Sequence, residues 1–339
     1  MTDTNVRAAD SATGPPRARG PAQRTRKQGP HLGRHALDAG HSHDGLDRCR
    51  YRSRMTERFV TVPGGRLFVV DEGAPTGPPI LLLHAGIADL RSWDAMAPIL
   101  VGAGYRVVRH DTRGFGRTET DDIDYSERAD AIAVLDAFEI RRAVLVGNSM
   151  GGSNAFDTAV EFPGRVAAVV GVGSGVRGFE VDSTPDEEAA YLEMEAAELA
   201  MEQATGAERA RHLEVLLALE TRFWVDGPGE RPDRVPPAIR DALTDMNRSH
   251  QAPDRAHGRR IPLQPTAAGR LGELRCPVLV VAGELDVSDV AAAAAFVGRT
   301  APDARVVLLP EVAHMIGMEA PDTLAGLIVD FLAPLARWS

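Results

Sequence analysis

Ser149 stands between an apolar run, residues 143–146, and a stretch that reads as a helix, residues 154–162, stopped by Pro163. Gly147, Gly151 and Gly152 flank it. A short run rich in Val and Leu has the character of a strand buried on both faces. A tight strand-to-helix turn forces its corner residue into a strained backbone conformation, and flanking glycines have no Cβ to collide with neighbouring elements. Such a corner lifts the hydroxyl above the sheet and aims the unpaired N–H groups of the helix start at whatever binds there. A serine hydroxyl is a poor nucleophile until a base takes its proton, and the base needs a carboxylate to orient it. Two residues fit those roles. Asp286 follows the apolar run 278–281, and His314 follows the run 306–309. Both fall at carboxyl ends of strands, where open α/β sheets gather such groups, and the chain order is Ser, Asp, His.

The elements that must position these three can be read from residue 55 onward. Residues 59–62 and 67–70, joined by Pro63-Gly64-Gly65, read as a β-hairpin. Residues 80–83, Ile-Leu-Leu-Leu, read as a strand buried on both faces, and 105–108 as the next. Residues 92–100 and 126–138 read as helices, and 166–172 as another buried strand. This alternation predicts an α/β fold with a doubly wound, mostly parallel sheet. Residues 177–268 then show no strand pattern. Thr184-Pro185-Asp186-Glu187 starts a helix, with Thr184 as N-cap and Glu187 completing a capping box. Helices follow at 213–225 and 237–247. The expected organisation is core at 55–176, an inserted helical lid at 177–268, and core again at 269–339.

The competing residues have plainer readings. Asp289 fits the first turn of the helix after Asp286. His84 and His110 end strands and fit structural roles, and His212, His250 and His257 show no partner pattern. Gly114 and Gly116 do not complete a dinucleotide-binding fingerprint, because Glu119 takes its third place. The chain shows no metal-ligand spacing, so neither cofactor nor metal is expected.

The 339 residues are 44% apolar and 25% charged, as in ordinary globular proteins. A net charge of −10 and a pI near 5.5 argue against nucleic acid as a partner. No apolar run is long enough for a bilayer span, and only Cys49 and Cys276 are present, so a reducing cytoplasm is expected. Residues 1–54 are rich in Arg, Gly and Pro and read as a disordered basic tail, possible metal binding by His31, His35, His41 and His43 being the lesser reading. Ordered patterning starts abruptly at Met55, which suggests that the tail is not normally translated.

His84-Ala85-Gly86, Asp111-x-Arg113-Gly114-x-Gly116, Gly147-Asn148-Ser149-Met150-Gly151-Gly152, Gly283-Glu284-Leu285-Asp286 and Ala313-His314 occur in order and at strand ends. Over residues 57–338 the chain resembles the α/β-hydrolase fold family. The resemblance implies Ser149 as nucleophile, His314 as base then acid, and Asp286 as its orienter. It implies an oxyanion hole from the N–H of Met150 and one from the loop after the third strand. There Ala85 stands where the family has glycine, so the choice is Gly86 first and Ile87 second. Arg113 and Asp130 are expected to support the architecture. Ile87, Trp93 and Trp224, with Phe223, are expected to line the pocket. The loop at Gly86 is similar to that of enol-lactone hydrolases. The leading expectation is therefore a serine hydrolase cleaving a small carboxylic ester or lactone through an acyl-enzyme. Asn148 within the hexapeptide is similar to carbon–carbon bond hydrolases of ring-fission products, the alternative. A small-molecule receptor on the same fold is the alternative from another class. The only partner expected is the small-molecule substrate.

Overall fold

The computed structural model describes residues 55–335 apart from Asp233. The expected tail, its four histidines and Cys49 lie outside the described residues.

The strands are β1 (Thr56–Val62), β2 (Gly65–Glu72), β3 (Pro79–Leu83), β4 (Arg106–His110), β5 (Glu119–Thr120), β6 (Asp124–Tyr125), β7 (Ala143–Asn148), β8 (Val166–Val172), β9 (Arg259–Arg260), β10 (Val278–Gly283) and β11 (Ala304–Leu309). The main sheet runs β1-β2-β4-β3-β7-β8-β10-β11, with β5 on β2. From β4 to β11 every pairing is parallel, while β1, β2 and β5 pair antiparallel. The central strands read as continuous apolar runs because both faces are covered.

Alternation along each strand splits the core into two layers. Leu81, Leu83 and Leu145 face one layer with Ala155, Phe156 and Val290. Ile80, Leu82, Val144 and Val146 face the other with Leu100, Leu324 and Ile328. The helices supplying these layers are α1 (Ala97–Gly102), α2 (Glu127–Ala137), α3 (Met150–Glu161) and, later in the chain, Ser288–Thr300 and Pro321–Leu332.

Between β8 and β10 lie α4 (Pro185–Gln203), α5 (Gly206–Thr221), a π-helical turn (Arg222–Asp226) and α6 (Pro237–His250). The later helices are α7 (Ser288–Thr300), α8 (Ile316–Glu319) and α9 (Pro321–Leu332). The capping box at α4 forms as read: Thr184 Oγ1 accepts from the Glu187 N–H, and Glu187 accepts from the Thr184 N–H. Glu187 also accepts from the N–H and hydroxyl of Ser288, at 2.6 Å each, and so joins the start of α4 to the start of α7.

Two expectations are corrected. Residues 92–100 do not form one helix. A 3-10 turn, Leu90–Trp93, capped by Asp89, ends before α1, and Pro98 sits in the first turn of α1, where its missing N–H costs nothing. The segment 177–268 does contain a strand. β9 pairs parallel with β6 over two residues, too short to leave an alternating pattern. Among the described residues no helix is long and apolar enough to cross a membrane.

Candidate active site

β7 ends at Asn148 and α3 begins at Met150, so Ser149 alone makes the corner. Its φ is 52° and its ψ −116°, a region that costs a non-glycine residue about 1–3 kcal/mol. The corner is this tight because Gly147 and Gly151 back onto each other. A Cβ on Gly147 would collide with the Gly151 carbonyl, and one on Gly151 with the Leu83 carbonyl. The Ser149 N–H donates to the Val172 carbonyl at 2.9 Å, which holds the corner to the end of β8. The Asn148 amide donates to the carbonyls of Val172 and His314 at 3.0 and 3.2 Å. The residue before the serine thus ties β7 to β8 and to the His314 loop.

Asp286 and His314 arrive on the loops after β10 and β11. His314 Nδ1 donates to both Asp286 carboxylate oxygens, at 2.8 and 3.0 Å, and both side chains are buried. The Val287 N–H donates to the same carboxylate at 2.8 Å. With its proton committed at Nδ1, the ring presents the Nε2 lone pair as its free basic atom. Asp289 lies in the first turn of α7.

Gly173 sits where these pieces converge. Its φ is +49°, and a Cβ there would lie 2.8 Å from the His314 carbonyl, 3.2 Å from the Asp286 carboxylate and 3.3 Å from the Asn148 amide nitrogen. Its N–H donates to Val281, which fixes it against β10. In the sequence it is one glycine among 33, and no local pattern marks it.

The loop after β3 faces the start of α3. A Cβ on Gly86 would lie 3.8 Å from Met150 Sδ, so the two expected amide donors are neighbours. Ala85, where a glycine was the familiar residue, is fully buried beside Ala88, Met246 and Met315. Two β4-side residues pin this loop. The His84 ring bonds the Ala85 carbonyl and accepts the Thr112 N–H, and burial pushes its pKa down. The Asp111 carboxylate accepts from the N–H groups of Leu90 and Arg117. Burial pushes Asp111 up to about 7 against those two bonds. Arg113 and Asp130 form a buried bidentate pair behind the loop.

The inserted segment reaches the site through Trp224, on the π-helical turn. Its ring centroid is 4.6 Å from that of His314, and Phe223 and Tyr191 back it. Ile87 is half-buried and packs against Val225, Met246 and Met315. Trp93 corrects an expectation. It is 1% exposed, lies in the core layer with Met96 and Ile316, and presses on Gly317, so it packs the core and not a pocket wall.

Arg234 escaped the sequence reading. It donates to the carbonyls of Val225, Asp226 and Glu311 and pairs bidentately with Glu319. Glu319 in turn accepts from the Ala313 N–H at 3.3 Å. One guanidinium therefore clamps the turn carrying Trp224 to the loop carrying His314. His250 and His257, which show no partner pattern in the sequence, pack against the loop after β4. Phe115 stacks on His250 at 3.9 Å, His257 packs edge-on against His250, and His250 Nδ1 donates to Gly114. Burial pushes His250 down to about 4. Among the described residues no group of His, Cys, Asp and Glu is placed to hold a metal ion.

Residues 78–321 match the family model described as alpha/beta hydrolase fold. Epoxide hydrolase B of Mycobacterium tuberculosis is 35% identical over 125 residues, a match spanning 35% of this chain and 35% of that protein. The 2-hydroxy-6-oxo-6-phenylhexa-2,4-dienoate hydrolase of Burkholderia cepacia is 27% identical over 296 residues, 82% of this chain and 96% of that protein. The esterase RhEst1 from Rhodococcus sp. ECU1013 is structurally similar, with a TM-score of 0.62 and 25% identity, over 84% of this chain and all of that one.

Proposed function

Because the chain belongs to the α/β-hydrolase fold family, we propose that it is a serine hydrolase cleaving a small carboxylic ester or lactone, with Ser149, His314 and Asp286 as its catalytic residues. The observation that supports this is the buried Asp286–His314 pair, on a loop whose His314 carbonyl accepts from the amide of Asn148, the residue before the strained corner at Ser149. The three similar proteins named above are hydrolases, and RhEst1 is an esterase. Ser149 Oγ attacks the carbonyl carbon as His314 Nε2 takes its proton, and Asp286 holds the imidazolium. The N–H groups of Met150 and Gly86 receive the oxyanion; one such donor is worth about 3 kcal/mol. Collapse expels the alcohol with the proton from Nε2, and in a lactone the alcohol stays tethered to the acyl group. His314 then activates a water that releases the acid and frees Ser149. Residues 177–268 act as the lid that sets which acyl group fits.

Hydrolysis of p-nitrophenyl butyrate tests this reading. Wild type turns it over, and Ser149→Ala loses about 10⁴-fold or more in kcat. Equal rates from the two proteins overturn it. A fluorophosphonate labels wild type and spares Ser149→Ala. The Burkholderia cepacia relative favours a second reading, carbon–carbon cleavage of a ring-fission product. Asn148, the residue that suggested it, is engaged with two main-chain carbonyls, which supports a positioning role for it in either reaction.

A further inference from the structure

Trp224 meets three rings, and the nearest is the imidazole of His314. The two centroids are 4.6 Å apart, with 42° between the planes. Phe223 follows at 4.8 Å, nearly perpendicular, and Tyr191 at 6.2 Å. Phe223 is buried and meets Tyr191 edge-on, so the two rings back the indole together. Trp224 stands on a π-helical turn, a rare geometry that proteins use mostly at functional sites. That turn is tied down twice. Arg240 pairs with the Asp226 carboxylate, and Arg234 takes the carbonyls of Val225 and Asp226.

Charged and titratable groups reach the imidazole from several sides. Asp286 accepts from Nδ1, and Asp289 stands in the first turn of α7. Burial pushes Asp289 up, the Asp286 charge adds to that, and His314 acts against it. The Arg234–Glu319 pair holds the Ala313 end of the loop. Burial pushes the Tyr191 hydroxyl up, so it stays neutral behind the indole. The proton shuttled by Nε2 is a different matter. The ring is neutral before attack and cationic once it holds the Ser149 proton. An indole attracts a cation within about 6 Å of its centroid, and more strongly where water is excluded. His314 is buried. The contact therefore strengthens as the charge develops, which is the condition for an interaction to speed the chemical step.

We propose that Trp224 is a positioning residue of the reaction, whose indole stabilises His314 as the imidazolium formed during proton transfer. The proposal rests on the ester-cleaving reading of the site and gives Trp224 a role beyond that of a pocket wall. In the step it assists, the Ser149 proton passes to His314 Nε2, the bond from Oγ to the carbonyl carbon forms, and the carbonyl π pair moves onto the oxyanion. The indole makes and breaks no bond.

The test measures kcat and KM for p-nitrophenyl butyrate from about pH 5 to 8 in wild type, Trp224→Phe and Trp224→Leu, using the full chain. Phe keeps an aromatic ring, and Leu keeps an apolar cover without one. Trp224→Leu is expected to lose about threefold to tenfold in kcat. Its acid limb moves about half a pH unit lower, because a ring deprived of the indole takes up its proton less readily. Trp224→Phe recovers most of both effects. If the indole is cover alone, Trp224→Leu leaves the limb in place and changes KM only, and that result overturns the proposal. A limb moved to higher pH also overturns it. NMR titration of isotope-labelled histidines in Ser149→Ala, with and without Trp224→Leu, reads the same shift without turnover and shows whether the variant is folded. An unchanged or raised His314 midpoint there overturns the proposal. If wild type cleaves no ester and the midpoint still falls in Trp224→Leu, the ester-cleaving reading fails and the action of Trp224 on His314 stands.

Discussion

The sheet and the inserted helices hold their contributions to the site in different ways. The sheet relies first on main chain, through the Ser149 N–H on Val172, the Gly173 N–H on Val281 and strand register that brings three loop ends together, with the Asn148, His84 and Asp111 side chains adding ties at the loops. The inserted segment uses side chains. Arg234 grips Glu319, Arg240 pairs with Asp226, Glu187 holds Ser288, and His250 stacks on Phe115. Main-chain geometry survives most substitutions, whereas each side-chain tie is lost with one change. On the proposed function, the chemistry is therefore anchored in the part that is hard to alter, and access and selectivity in the part that is easy to alter.

Four substitutions or conditions probe that contrast. Asp286→Asn, which leaves the loop backbone intact, frees the His314 ring to adopt the wrong tautomer. It is expected to cost about 10⁴-fold in kcat, measured on p-nitrophenyl butyrate, with an unchanged melting temperature. Gly173→Val puts a β-branched side chain at φ +49° against the His314 carbonyl. Expected are about 1–3 kcal/mol of lost stability by denaturant titration and at least tenfold lower kcat. A fully active, wild-type-stable Gly173→Val would show that the convergence at this glycine is unimportant. Arg234→Met removes the clamp from the segment side and leaves Glu319 facing the Ala313 N–H alone. A severalfold fall in kcat is expected with about 1–3 kcal/mol of destabilisation. If only KM moves, the clamp shapes access and does not position His314.

The smallest effect is on pH. His250 is held neutral in the folded protein, with its pKa lowered from 6.5 to about 4, so the unfolded chain binds the proton more readily. Its contribution to stability is complete above about 6.5 and is lost as pH falls toward about 4. His110, pushed down to about 3 by burial, adds a similar slope. The melting temperature of wild type should therefore fall over this window. His250→Phe, which keeps a ring on Phe115, should fall less steeply. Parallel curves would remove His250 from the account.

The same contrast explains what the sequence made legible. β10, buried on both faces, announces itself as an apolar run, β11 at the sheet edge carries an apolar run although Val306 and Leu308 are exposed, and Asp286 and His314 stand a few residues past these two strands. Gly147 at the Ser149 corner is packed by Gly151 and Gly152, so that spacing is visible locally, whereas Gly151 itself answers to Leu83 of β3. The capping box at Thr184 is local too. Arg234 meets Glu319 across 85 residues, and Asn247 meets Glu220 between two helices. Neither pairing has a period or a motif. Trp93 misled because an aromatic near the Gly86 loop can turn either way, and a 3-10 turn sends it into the core. Trp224 reaches His314 from a π-helical turn, a geometry that periodicity does not encode.

The left-handed corner at Ser149 also bears on how such a protein evolves. Glycine adopts φ 52° freely and serine does not. If Ser149 is the nucleophile proposed above, Ser149→Gly relieves strain at the moment it abolishes chemistry. A population selected only for heat resistance would drift toward chains with glycine at the corner.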